Sequence, residues 1–182
     1  MSASPADEQQ EPTRAKSFRL PPMFGPIENG QRTWKRLGEI DYELMGYLLS
    51  CHLVLEHYMD EFLKAHHEHL DWDAAKLTFG QRVALLNNWN LNARFNPVST
   101  IKHLNNLRNR FSHRIDYVLS REDMLPIVYY LERATEHPMK DASPKELLEL
   151  FTSICCAAFA GSVSGIHEFK KAPRPQFCPP KL

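Results

Sequence analysis

The stretch LGEIDYELMGYLLSCHLVLEHYMDEF, residues 37–62, carries the longest regular pattern of apolar side chains in this sequence. Its apolar residues recur at steps of three and four, the spacing that places side chains on one face of an α-helix. The face consists of Leu37, Ile40, Leu44, Leu48, Cys51, Leu55, Tyr58 and Phe62. The pattern predicts one long amphipathic helix that ends near residues 66–69, and therefore a helical fold built around it.

Three shorter helices are predicted further along the chain. The first begins at the Thr78 cap, the second near Ser99, and the third after the Ser120 cap with Pro126 in its early turns. Their apolar residues are Phe79, Val83, Leu85 and Leu86 in the first, Ile101, Leu104, Leu107, Phe111 and Ile115 in the second, and Leu125, Val128, Tyr129 and Leu131 in the third.

The last predicted helix has the strongest start signal. Ser143 is its cap, Pro144 takes the first helical position, and Glu146 completes a capping box three residues after the cap. The apolar run that follows is nearly long enough to span a bilayer, but Glu149 and several serines interrupt it, so we expect a core helix and no membrane span. The chain is therefore predicted to be an all-α bundle of about five helices.

Length and composition bound the class of protein. The chain has 182 residues, 22 basic and 22 acidic, and its net charge of zero excludes a globally basic nucleic-acid coat. Prolines cluster at both ends, so we expect disordered tails at residues 1–32 and 170–182 around a helical domain of residues 33–169. The four cysteines and the absence of a signal-peptide start indicate a reducing, cytoplasmic location.

Positive charge is concentrated in one helix of this neutral chain. The basic residues of the segment KHLNNLRNRFSHR, residues 102–114, are Lys102, Arg108, Arg110 and Arg114. A charged run on a helix is usually a solvated surface. On an ideal helix, however, Lys102, Asn109 and His113 lie opposite the apolar stripe, and Arg108 lies at the edge of the stripe, where its stem is covered.

Three residues of this segment suit phosphate chemistry. Asn109 and His113 are one turn apart, so the amide is within reach of the imidazole and can orient it. The guanidinium of Arg108 suits bidentate binding of a phosphate. Arg108 and His113 point about 140° apart on one helix, so a single protomer does not direct both side chains to one phosphate. A two-fold homodimer that pairs this helix with its copy brings the arginine of one chain close to the histidine of the other.

The stretch RNRFSH, residues 108–113, matches the R-x4-6-H motif of the HEPN superfamily, with an asparagine directly after the arginine. The context is also similar to HEPN proteins: a long first helix with Glu56 in LVLEHYMDEFL, then LTFGQRVALL, then LNNLRNRFSH on a later helix. The chain resembles this superfamily over roughly residues 38–117. The resemblance implies a helical bundle that forms a homodimer and, in many members, a metal-independent endoribonuclease without a cofactor.

The resemblance also assigns roles to residues. Arg108 and His113 would be catalytic with Asn109 supporting them, the imidazole transferring the 2′-hydroxyl proton and the guanidinium stabilising charge on the phosphate. Cleavage would leave a 2′,3′-cyclic phosphate, and DNA would be spared because it has no 2′-hydroxyl. The RNA backbone would be held by Lys102, Arg110 and Arg114. A toxin or anti-phage role with an antitoxin partner is also implied.

Other interpretations stay open at this point. Arg108 can be structural, pairing with an acid such as Glu56 on the long helix, and the whole domain can be a non-catalytic module that binds RNA or protein. Ile115 also stands where many HEPN toxins carry a tyrosine, two residues after the histidine. The segment HHEH, residues 66–69, is not expected to bind metal, because consecutive residues at a helix end point in diverging directions.

Overall fold

The predicted long helix is α1, Tyr42–His66, in the computed structural model, which describes residues 21–35, 41–89, 91–113 and 117–171. The carboxylate of Asp41 caps α1 by accepting a hydrogen bond from the Leu44 amide at 2.8 Å. From Leu44 to Phe62, the residues of the predicted apolar face are buried or half-buried. The periodicity therefore identified the central helix correctly, while residues 37–40 lie outside the described residues.

The other predicted helices also form. The helices after α1 are α2 Trp72–Ala75, α3 Phe79–Leu85 with a 3-10 turn at Leu86–Asn88, α4 Val98–His113, α5 Arg121–Thr135 and α6 Pro144–Lys171. Five of the helices in the described residues have seven or more residues, which confirms the predicted all-α class of about five helices. The single turn α2, which begins at Trp72, was not predicted.

Capping side chains fix where three of these helices begin. In each case the cap hydroxyl accepts a hydrogen bond from a backbone amide three residues later, and the side chain of that later residue accepts one from the cap amide. The pairs are Thr78 with Gln81, Ser120 with Asp123, and Ser143 with Glu146. All three predicted caps are thus confirmed.

The core lies between α1 and α6, with α4 packed against α1 and α5 packed against α6. Edge-to-face contact joins Tyr130 of α5 to Phe151 of α6, with ring centroids 5.4 Å apart. Phe159 of α6 stacks on Trp89 at 4.5 Å, a geometry in which aromatic rings attract each other in addition to burying area. Cys51 and Cys155 are buried and free, as expected of small apolar core residues.

Helix α6 is long and apolar enough to cross a membrane by length and composition, and it is the one helix of the described residues that meets this test. In the bundle, 33% of its most apolar window is buried. Its buried side chains, Leu147, Leu148, Phe151, Thr152, Cys155 and Phe159, belong to the core. A core role for α6 is therefore observed, and the absence of a membrane span stays a prediction.

A β-hairpin precedes the bundle. Strands β1, Met23–Glu28, and β2, Gln31–Lys35, pair antiparallel through a two-residue turn in which Asn29 and Gly30 both have positive φ. This is the turn conformation that Asn-Gly favours in hairpins. The prediction of a disordered tail at residues 1–32 is therefore wrong for residues 23–32. The boundary predicted at residue 33 also moves, because the chain divides into the units Met1–Glu39 and Ile40–Leu182. Residues 1–20 and 172–182 lie outside the described residues.

Candidate functional site

Helix α4 presents its two faces as the sequence predicts. Ile101, Leu104 and Leu107 are completely buried against the rest of the bundle. Lys102 and His113 are exposed on the opposite side. The helix therefore buries its apolar face and exposes Lys102 and His113, as an amphipathic surface helix does.

Arg108 sits between these two faces. Its side chain is half-buried, and its Nη1 donates a hydrogen bond to Oδ1 of Asn109 at 3.2 Å. Its Nε is buried without a hydrogen-bond partner among the described residues. The guanidinium forms no ion pair with an acid of the described residues, so its half-buried charge is not neutralised by any of them.

His113 is the last residue of α4 and is exposed to solvent. In the described part of the chain, the Asn109 amide bonds to Arg108 and makes no hydrogen bond to His113. The structure thus places Asn109 beside the guanidinium rather than beside the imidazole that it was predicted to orient. Arg108 and His113 leave the helix in directions about 140° apart, so a single chain does not bring them together.

A buried histidine that the sequence analysis overlooked lies on α1 beside this helix. His52 is 3% exposed, its Nε2 donates to Oδ1 of Asn105 on α4 at 3.1 Å, and its ring stacks on Phe79 at 3.9 Å. Burial, and then the positive charge of Arg108, lower the pKa of His52, so the imidazole is neutral. Its place next to the apolar stripe of α1, between Cys51 and Leu55, is the signal that a helical wheel would have given.

The nearby acid Glu56 is paired with Arg82 and not with Arg108. Arg82 of α3 donates to Glu56 at 2.9 Å and to both carboxylate oxygens of Asp60, at 2.5 and 3.2 Å. It also donates to the Leu77 carbonyl. The interpretation in which Glu56 holds Arg108 in a structural ion pair is therefore wrong.

Of the three predicted RNA contacts, Arg110 is held by its own chain. Its Nη1 donates to Oδ1 of Asp123 on α5 at 2.8 Å and to the hydroxyl of Tyr117 at 3.4 Å. Although burial alone would raise the pKa of Asp123, hydrogen bonds from Tyr117 and Ser120 and the charge of Arg110 lower it. Lys102 is exposed, and Arg114 lies outside the described residues.

A cavity of about 560 Å³ lies elsewhere in the bundle, between the end of α1, the segment after α3, and α6. It is lined by aromatic side chains such as Phe62 and Trp89 and by His66 and Lys170, and no residue of α4 contributes to it. The described residues contain no group of three or more His, Cys, Asp or Glu arranged to hold a metal ion. The candidate site that contains Arg108, Asn109 and His113 is thus a surface of α4 and is separate from this cavity.

The described chain is thus an all-α bundle with an arginine and a histidine on separate sides of one helix. Comparison with protein-family models, with curated proteins and with solved structures finds no match.

Proposed function

We propose that this chain is a metal-independent endoribonuclease of the HEPN type, acting as a cytoplasmic homodimer with Arg108, Asn109 and His113 of both copies at its active site. The observation that carries the proposal is the half-buried guanidinium of Arg108, which forms no ion pair with an acid of the described residues, because Glu56 is bound by Arg82. A half-buried guanidinium that none of the described acids neutralises suits an anionic ligand.

The chemistry needs a base and a stabilised phosphate. The imidazole of His113 takes the proton of the 2′-hydroxyl, and the 2′-oxygen attacks the adjacent phosphorus. The bond from phosphorus to the 5′-oxygen breaks, the leaving oxygen takes up, by way of solvent, the proton that the imidazole removed, and a 2′,3′-cyclic phosphate remains. Arg108 stabilises the negative charge that builds up on the phosphate oxygens, and Asn109 holds one end of the guanidinium in place.

A second copy of the chain supplies what one copy does not. Because Arg108 and His113 point in different directions on α4, the arginine of one protomer would act with the histidine of its partner. Helix α1, which bonds to α4 through His52, also offers apolar surface to a second copy, since Leu49 and Leu53 are 42% and 56% exposed. On an ideal helix these leucines lie about 60° and about 100° away from His52.

A role as a toxin or in anti-phage defence, with an antitoxin as protein partner, is part of the proposal and rests on the similarity of residues 108–113 to HEPN proteins. Lys102 would contribute to holding the RNA backbone. The alternative is a non-catalytic module that binds RNA or protein through the same helix, and the exposed leucines of α1 are the observation that favours it.

Cleavage of RNA in the presence of a chelator tests the proposal. We expect the wild type and a His137→Ala control, which changes another exposed histidine, to cleave equally. His113→Ala and Arg108→Gln should each lose about 100-fold or more. Equal activity in all four proteins, or loss of wild-type activity with the chelator, contradicts the assignment.

Mixing the two inactive variants tests whether the site is shared. A dimer of one Arg108→Gln chain and one His113→Ala chain keeps one complete site only if each site takes its arginine and histidine from different protomers. Random mixing makes half of the dimers mixed, so about a quarter of wild-type activity should return. No recovery, with mixed dimers demonstrated by mass, rejects the shared site and leaves the cleavage test unaffected.

A further inference from the structure

The β-hairpin of residues 23–35 has one face made of large side chains. Phe24 lies opposite Trp34, and Ile27 lies opposite Arg32, so these pairs share a face across the two strands. Residues three positions apart normally lie on opposite faces of a strand, but the register shift between Phe24 and Ile27 places both on the same face. Phe24, Ile27 and Trp34 are 67%, 63% and 59% exposed. We call these four residues the aromatic face.

The other side of the hairpin is small and fixes the strand pairing. The hydroxyl of Thr33 donates to the Pro26 carbonyl at 2.7 Å. A side chain at Gly25 would collide with Thr33, so glycine is required for the strands to approach. The Asn29-Gly30 turn sets the same register from the end of the strands. The hairpin therefore presents its aromatic face in one defined arrangement.

The two rings of the aromatic face lie side by side, and a positive charge lies over one of them. The centroids of Phe24 and Trp34 are 4.9 Å apart with a 38° angle between the planes, and the Arg32 guanidinium lies over the Phe24 ring at 5.1 Å. Exposed aromatic rings beside an arginine are the elements with which proteins bind single-stranded nucleic acid, because every base has a π-face and every nucleotide a phosphate.

We propose that the aromatic face binds single-stranded RNA, with bases stacking on Trp34 and Phe24 and Arg32 contacting the phosphates. The choice of RNA as the ligand rests on the proposed function. It is supported by the state of the α4 surface, where Arg110 is neutralised by Asp123 and therefore contributes little attraction to a phosphate backbone. Stacking on aromatic rings adds affinity that does not require net positive charge.

Fluorescence anisotropy of a labelled 12-nucleotide oligouridine RNA tests the proposal on the full chain. The background is His113→Ala, which prevents cleavage during the measurement. Combined Phe24→Ala and Trp34→Ala substitutions should weaken binding by about 10- to 100-fold, since each stacked base contributes roughly tenfold. The single substitution Trp34→Phe keeps a stacking ring and should bind within about threefold of the background protein.

One further variant, in another part of the chain, completes the design. Tyr129→Ala removes an exposed ring of α5 that is outside the aromatic face and should leave binding unchanged. Equal affinity of the double variant and the background protein overturns the proposal, as does equal weakening by Tyr129→Ala. If the wild-type chain does not cleave RNA and the anisotropy measurements still show binding through Phe24 and Trp34, the proposed ribonuclease activity is wrong and the binding site is established.

Discussion

Replacing Arg82 with methionine removes the guanidinium that joins α3 to two carboxylates of α1. The methionine keeps much of the aliphatic stem, so the change mainly leaves Glu56 and Asp60 without their partner. Only 16% of the Arg82 side chain is exposed, and the two carboxylate side chains are 28% and 26% exposed. The pair is thus screened less than a surface ion pair but is not fully removed from water.

The expected loss follows from these distances. At an effective dielectric constant of about 20, a contact of the length seen to Glu56 has a Coulomb energy of about 6 kcal/mol. Desolvation offsets much of this attraction, and solvent still reaches the two acids, so we expect the free energy of unfolding to fall by about 2–3 kcal/mol. The melting temperature should fall by roughly 5–10 °C.

Urea unfolding of a double-mutant cycle measures this effect directly. Arg82→Met and Glu56→Gln, alone and together, should give a coupling energy above about 1 kcal/mol. The same cycle with Arg108→Met should give a value near zero, because Glu56 is bound by Arg82. Lys64→Met is the control at an exposed pair with Glu61, 3.3 Å apart, and should cost less than about 0.5 kcal/mol.

Two outcomes refute the reasoning. A coupling energy below about 0.5 kcal/mol between Arg82 and Glu56 means that this ion pair does not stabilise the contact between α1 and α3. A coupling energy above about 1 kcal/mol between Arg108 and Glu56 restores the structural role for Arg108 and removes the main support for an available guanidinium.

Three other perturbations address the core, a cap and a buried histidine. Phe159→Ala removes a fully buried ring stacked on Trp89 and should cost about 3–5 kcal/mol in urea unfolding, whereas a cost below about 1 kcal/mol would mean that this part of the core repacks freely. Ser143→Ala should cost about 1 kcal/mol through loss of the α6 cap, and Ser143→Gly should recover most of it. Burial lowers the pKa of His52, so the unfolded state binds a proton more readily, and stability should fall as the pH drops below about 6.5. When the pH is lowered from about 7.5 to about 5, the melting temperature of His52→Gln should fall less than that of the wild type. Parallel plots of melting temperature against pH for the two proteins would contradict this.

The helices were predictable because their signals are local. The apolar stripe of α1 and the caps at Thr78, Ser120 and Ser143 depend on residues within a few turns of each other, and the structure confirms them. The hairpin was missed although Asn29-Gly30 is a strong turn signal. Prolines and polar residues around it favoured an unstructured tail, and the strands flanking the turn are only five and six residues long.

The candidate site was predictable in its residue types and not in its pairings. A helical wheel places Arg108 at the edge of the apolar face, and the structure agrees. The helical wheel gives no information about which neighbouring helix supplies the hydrogen-bond partner of each side chain. The bond between His52 and Asn105 spans 53 positions and that between Arg110 and Asp123 spans 13, so both depend on how the helices pack.

The packing of α1 against α6 has a consequence for biosynthesis. Contacts between these helices join residues far apart in the chain: Cys51 to Leu148 over 97 positions, and Ala65 to Lys170 over 105. The apolar face of α1 therefore leaves the ribosome long before its main partner is synthesised. Contacts of such sequence separation slow folding, and the nascent chain exposes the α1 face until α6 emerges. We expect this interval to be the period in which the chain binds chaperones and is most prone to aggregate.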